Sequence, residues 1–240
     1  MTNSIITALV TGASRNIGRA IALKLAGQDC NVVVHAHSDE AACQEVVAEI
    51  EASGGQTTYA LADLGNRDEV VALHQKCTDA FGNVDILVCN AAIRPHTDFL
   101  EMDEADWHRV MDTNLHSTFL LTRMALPGMI ANGWGRIITF AGLQAIRGYQ
   151  GAAHVSASKH ALWGLTKSLA KDYGEKGITS NIISPGPTYA AEREDPTKKV
   201  TPIGRAGRPE DIAAIVSLLV SEQGAYINGQ MLQANGGLET

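Results

Sequence analysis

The 240-residue chain is 45% hydrophobic, 19% charged and 5% aromatic, with a mean hydropathy of −0.03. That composition suits one sizeable folded core and excludes a disordered chain; no stretch approaches the roughly 18 uninterrupted apolar residues of a membrane-spanning helix. A net charge of −7, from 19 Lys and Arg against 26 Asp and Glu, suits neither nucleic acid nor an anionic membrane and points to a small molecule or a protein as partner.

The first four residues lack the basic start of a secretory signal, and the apolar stretch behind them reads as a short strand, so a cytoplasmic location is expected. In chain order, residues 5–10 form a strand and 16–27 a helix. Residues 31–34 form a second strand, 40–52 a helix stopped at Gly54-Gly55, and 57–61 a third strand. Asn66-Arg67-Asp68-Glu69 has the pattern of a capping box opening a helix to Phe81, which Gly82 ends. A fourth strand covers 85–89. Long helices near 106–133 and over 153–173 flank a fifth strand at 136–140. A sixth strand covers 178–183. Pro209 sits at the first turn of a helix over 210–219, and 230–234 is the last strand. Strands that are almost wholly apolar and alternate with helices predict a parallel sheet covered on both faces, with ligands at the carboxyl ends of the strands. Residues 185–205 follow a strand without clear periodicity and are expected to form a mobile lid. Cys30, Cys43, Cys77 and Cys89 show no C-x-x-C spacing and are expected to be reduced thiols.

After the first strand comes Thr11-Gly12-Ala13-Ser14-Arg15-Asn16-Ile17-Gly18. Glycines let backbone approach a pyrophosphate, and a helix N-terminus offers free N–H groups and a positive dipole end. Alone, such a loop is equally an ordinary β–α turn. Here it is joined by Asn90-Ala91-Ala92, Asn114, Lys159, Pro185-Gly186, Gly204-Arg205 with Pro209-Glu210-Asp211, and Asn235-Gly236-Gly237. With these motifs in this order, the chain resembles the short-chain dehydrogenase/reductase family, the 3-oxoacyl reductases in particular. The resemblance implies an α/β fold: one Rossmann domain over residues 1–240, with a doubly wound parallel sheet of about seven strands. It further implies a nicotinamide dinucleotide cofactor and a homo-oligomer, tetramer or dimer. Gly12, Ser14, Arg15, Asn16, Ile17 and Gly18 would hold the phosphates, Asp63 and Leu64 the adenine. Asn90, Ala91, Lys159, Pro185, Gly186 and Thr188 would line the rest of the cofactor cleft.

An acid at the end of the second strand would bond a ribose 2′-hydroxyl and repel a 2′-phosphate. The strand instead ends His35-Ala36-His37-Ser38, with no carboxylate until Asp39, and the resemblance implies that Arg15 lies where the family often meets a 2′-phosphate. NADP(H) is therefore expected over NAD(H), with His37 among its contacts. His35 and His37 have no third or fourth ligand at a recognisable spacing, so no metal is expected.

The family's reductases use a Ser after the fifth strand and a Tyr-x-x-x-Lys in the next helix. In register, the Lys is Lys159, the Tyr position holds Val155 and the Ser position Gly142. The interval between the last two matches the family's, so no gap is needed. Asn114 and Lys159 remain as catalytic candidates, Lys159 alternatively serving only to hold ribose. His154, Tyr149 and Gln144 are candidate substitutes for the missing groups. Ser156 is expected to share a helix face with Lys159. Arg94 and His96 could bind an anionic or polar substrate. Three readings follow: an NADP(H)-linked oxidoreductase on a small carbonyl or alcohol with a non-standard proton donor; a non-redox isomerase, lyase or hydrolase on the same scaffold; and a nucleotide-binding protein without turnover.

Overall fold

The computed structural model describes residues 5–143, 147–189 and 201–239. Its strands are β1 (Thr7–Val10), β2 (Asn31–Ala36), β3 (Thr57–Leu61), β4 (Ile86–Cys89), β5 (Gly135–Phe140), β6 (Ile178–Pro185) and β7 (Met231–Ala234). They form one seven-stranded parallel sheet in the order β3-β2-β1-β4-β5-β6-β7.

Successive strand residues feed opposite cores, as the two-residue period of a strand requires. Ala8 and Val10 join Ile21 and Leu25 of α1 (Asn16–Ala26) and Ile212 and Val216 of α7 (Pro209–Val220) on one face. Leu9 turns the other way, to Leu73 of α3 (Arg67–Phe81) and to Leu121 and Met129 of α5 (Ser117–Asn132). In β5, Ile138 and Phe140 serve the first core and Ile137 the second. Each fully buried Leu or Ile contributes about 1.5–3 kcal/mol. A polar residue at either face of these strands would forfeit that term, which explains their near-continuous apolar sequence.

Side-chain caps fix the turns between layers. Asp39 accepts from Ala42 N at 3.2 Å and starts α2 (Glu40–Ala52). Asn66 Oδ1 accepts from Asp68 N and Glu69 N at the start of α3. The expected capping box is rearranged: the Glu69 carboxylate accepts from Asp63 N at 2.7 Å and from the Asn66 side-chain amide, tying the end of β3 to the helix.

The helix expected near 106–133 is three pieces: α4 (Glu104–Met111), a π-turn over Asp112–His116, and α5. Residues 153–173 form α6 (Ala153–Tyr173), as expected. Strand β2 runs two residues beyond its expected end because His35 is buried and bonded at both ring nitrogens. Nδ1 accepts from Gly12 N at 3.2 Å, and Nε2 faces Ala62 O at 3.0 Å. Burial lowers the His35 pKa to about 4, so the ring is neutral at pH 7, matching these two bonds.

The strand order turns at β1, which has β2 on one side and β4 on the other. Such a switch opens a crevice at the carboxyl ends of the strands. Much of the expected lid, residues 190–200, lies outside the described residues; before it, Thr188 pairs with Gly207, and Tyr189 N donates to Gly207 O at 3.0 Å. Among the described residues no helix is long and apolar enough to cross a membrane.

Candidate active site

A cleft of about 1470 Å³ occupies the crevice. Its floor at one end is the loop from Gly12 to Gly18. Gly12 has φ +63°, and a Cβ on Gly18 would lie 2.0 Å from the Gly12 carbonyl oxygen, so the turn closes only with glycine at both places. The Asn90 amide donates to the carbonyls of Thr11 and Gly12, each at 3.0 Å, and fixes the loop to the end of β4. Asn16 adopts φ +48°, a left-handed conformation that asparagine tolerates better than most residues.

Every residue expected to contact the cofactor lines this one cleft. Gly12, Ser14, Arg15, Asn16, Ile17 and Gly18 lie at the loop, His37, Asp63 and Leu64 beyond β2 and β3. Asn90, Ala91, Lys159, Pro185, Gly186 and Thr188 follow along it. Arg15 is exposed and has no acidic partner among the described residues. The first carboxylate after β2, Asp39, is occupied in capping α2. His37 Nδ1 lies 3.8 Å from the Asp63 carboxylate. Among the described residues no cluster of His, Cys, Asp or Glu could hold a metal. All four cysteines are buried; desolvation raises Cys30 and Cys43 to about 11 and Cys77 and Cys89 to about 12, which keeps them unreactive thiols.

Among the catalytic candidates, Lys159 alone lines the cleft within the described residues. Its side chain is 3% exposed, and Nζ donates to the Phe140 carbonyl at 2.8 Å. Desolvation, with a smaller contribution from the positive charge of Arg94, lowers its pKa to about 7. No tyrosine oxygen among the described residues is hydrogen-bonded to it.

The other candidates stand elsewhere. Asn114 is buried in the π-turn; its amide accepts from Ile93 N at 2.9 Å and donates to Ile93 O at 3.0 Å and to the Ser158 hydroxyl at 3.2 Å. It clamps the loop after β4 to α6 and does not reach the cleft. His154 is fully buried, its Nδ1 accepting from Val155 N at 3.0 Å and its Nε2 unpartnered; desolvation lowers its pKa. Tyr149 is exposed and packs edge-on against His96 at 5.5 Å, outside the cleft lining. Ser156 also does not line the cleft, and its hydroxyl is buried without a partner. Gln144 lies outside the described residues.

Val155 is fully buried in an apolar cluster with Val110, Ala152 and Ile93. Gly142 lines the cleft at φ +122°, a backbone conformation that residues with a side chain rarely adopt. Sequence reasoning missed Tyr189, a phenol in the cleft lining, and the helical set Ala105, His108, Arg109 and Asp112. The helical spacing of that set was legible; that it faces the cleft was not.

Residues 12–239 match the family model described as enoyl-(acyl carrier protein) reductase. The chain is 38% identical over 236 residues to a 3-oxoacyl-[acyl-carrier-protein] reductase of Synechocystis, covering 96% of each chain. It is 37% identical over 238 residues to nodulation protein G of Azospirillum brasilense, covering 96% of this chain and 97% of that one. Among solved structures it resembles a protein described as an NAD(P)-dependent gluconate 5-dehydrogenase from Beutenbergia cavernae, with bound NADP. That match has a TM-score of 0.88 and 32% identity over 98% of this chain and 97% of the other. A variant of a Serratia marcescens short-chain dehydrogenase/reductase matches with a TM-score of 0.90 and 33% identity over 99% of both chains.

Proposed function

The chain belongs to the short-chain dehydrogenase/reductase family, and on that premise we propose that it is an NADP(H)-linked oxidoreductase in which Lys159 exchanges the proton with the substrate oxygen. The substrate is a small carbonyl compound or the corresponding alcohol. The observation that carries this is the lysine itself: it lines the cleft, is nearly free of solvent, and has a pKa of about 7. A general acid works best with a pKa near the working pH, and such help is worth about 10²–10⁴ in rate.

The loop from Gly12 to Gly18 would hold the pyrophosphate, and Arg15 and His37 the 2′-phosphate. When bound, the nicotinamide supplies a hydride to the carbonyl carbon. The chain's own contribution is at the oxygen. The Lys159 ammonium orients the carbonyl, gives one proton to the oxygen as negative charge builds there, becomes a neutral amine, and regains a proton from solvent. Phe140 O keeps Nζ in place through this cycle. In the oxidative direction the neutral amine takes the hydroxyl proton.

The test is NADPH oxidation with a panel of aldehydes, ketones and oxo acids, followed as a function of pH. Reduction needs the ammonium, so kcat is expected to fall tenfold per pH unit above the Lys159 pKa. Lys159→Met removes that limb, whereas Tyr189→Phe, Tyr149→Phe and His154→Asn keep it. A limb that disappears in Tyr189→Phe and survives in Lys159→Met would transfer the proton to the phenol. Failure to bind NADPH at micromolar concentration would favour the non-redox reading.

A further inference from the structure

We infer that the substrate bears a carboxylate and that the Arg94 guanidinium is its seat, so that the preferred substrate is a short oxo acid or its hydroxy acid. This rests on the oxidoreductase reading above and names the class of molecule that the same site takes.

The backbone carrying Arg94 is held on both sides. Asn114 binds both the N–H and the C=O of the preceding residue, Ile93, at 2.9 and 3.0 Å. The following residue is Pro95, which fixes its own φ and restricts Arg94 to extended conformations. Two residues past Pro95, Thr97 N donates to Gly151 O at 2.7 Å, tying the loop to the segment that leads into α6. The π-turn is what swings Asn114 inward to make this clamp, and such turns recur at functional sites.

The side chain lines the cleft that Gly142 and Lys159 also line, and its charge is felt at Lys159. Gly142 has no side chain, so none projects from that position into the cleft. Two cations thus share the reaction end of a protein whose net charge is −7. The acids that line the cleft among the described residues are engaged elsewhere. Asp39 caps α2, Asp63 accepts from Gly65 N, and Asp112 pairs with His116. Arg109 has Asp106; Arg94 has no acidic partner among the described residues. An exposed guanidinium on a fixed backbone at the cleft, beside a second cation and without an acidic partner among the described residues, is matched by a carboxylate. Its planar fork donates to the two oxygens together, which an ammonium cannot do.

The experiment compares acetoacetate and 2-oxobutanoate with their methyl esters as substrates of the NADPH-loaded protein, and titrates malonate into the NADP⁺-loaded protein by calorimetry. Wild type is expected to prefer each acid over its ester by about tenfold or more in kcat/KM, the effect of one charge-assisted hydrogen bond. Arg94→Gln should abolish that preference and malonate binding while leaving NADPH affinity unchanged; Arg94→Lys should recover part of the preference. Equal malonate binding by wild type and Arg94→Gln, or an acid preference untouched by the substitution, would overturn the carboxylate seat alone. Loss of NADPH affinity in Arg94→Gln would assign the guanidinium to the cofactor and overturn it equally. If neither acid is turned over, malonate binding decides. A wild-type protein that binds no NADPH would instead overturn the oxidoreductase reading.

Discussion

Lys159 and Val155 stand one helical turn apart on α6 yet belong to different environments. The lysine ammonium reaches the cleft and the Phe140 carbonyl, while the valine is sealed among Val110, Ala152 and Ile93. The position of Val155 is therefore closed over by packing, and the lysine lines the cleft with no tyrosine oxygen bonded to it among the described residues.

Val155→Tyr and Gly142→Ser should both destabilise the protein, for different reasons. Val155→Tyr enlarges a packed apolar cluster and should cost about 1–3 kcal/mol of stability. It should nevertheless raise reduction of generic ketones, measured as NADPH oxidation. Gly142→Ser forces a side chain onto a backbone at φ +122° and should destabilise by about 1–3 kcal/mol in thermal unfolding. The double variant should reduce ketones no faster than Val155→Tyr alone. A large gain from Gly142→Ser by itself would contradict the geometry at the end of β5.

His35 gives the fold a pH dependence of known sign. Its native pKa, about 4, lies below the ordinary 6.5, because burial disfavours the charged ring. The unfolded chain therefore binds the extra proton more readily. This contribution is fully present above pH 6.5 and is lost as pH falls toward 4, up to about 3 kcal/mol in all. Denaturant unfolding of wild type against His35→Gln should show the wild type losing its advantage over that interval. Parallel pH curves would contradict the assignment.

Lys159 should leave its own mark on the cofactor-free protein. Its native pKa of about 7 lies below the ordinary 10.5, so the native state resists carrying the charge. Wild-type stability should fall as pH drops from 10.5 toward 7 and level off below. Lys159→Met removes the titration, so the gap between the two proteins' melting temperatures should close at high pH and open at neutral pH. A constant gap would show that the lysine is charged throughout.

Arg15→Ala should weaken NADPH binding by about 10–100-fold, the loss of a charge-assisted contact, and leave NADH binding little changed. Fluorescence titration with both cofactors checks this. Equal losses for the two would place Arg15 at the pyrophosphate rather than at a 2′-phosphate.

Much of the fold was legible because strand residues buried on both faces must be continuously apolar. The 57–61 strand and the 40–52 and 153–173 helices appear with the limits that their residues imply. The cofactor end was legible for a related reason: a tight glycine turn before a helix leaves little freedom, and its residues lie together in sequence. The reaction end was harder. Helical periodicity does not register the one extra residue that makes the π-turn, so the inward swing of Asn114 onto Ile93 was hidden. Sequence adjacency to Val155 drew attention to His154, yet the packing of α6 against α4 buries that ring away from the cleft. Tyr189 was overlooked because it follows a Pro-Gly-Pro turn whose direction only the fold fixes.

The most direct measurement is the pH dependence of kcat for NADPH-driven reduction, taken on wild type and on Lys159→Met with the best substrate of the panel. A wild-type rate that declines above a midpoint near 7, in the range of the cofactor-free lysine, with the decline absent in Lys159→Met, is the expected result. A wild-type rate flat from pH 6 to 9, or an unchanged profile in the variant, would contradict a lysine proton donor.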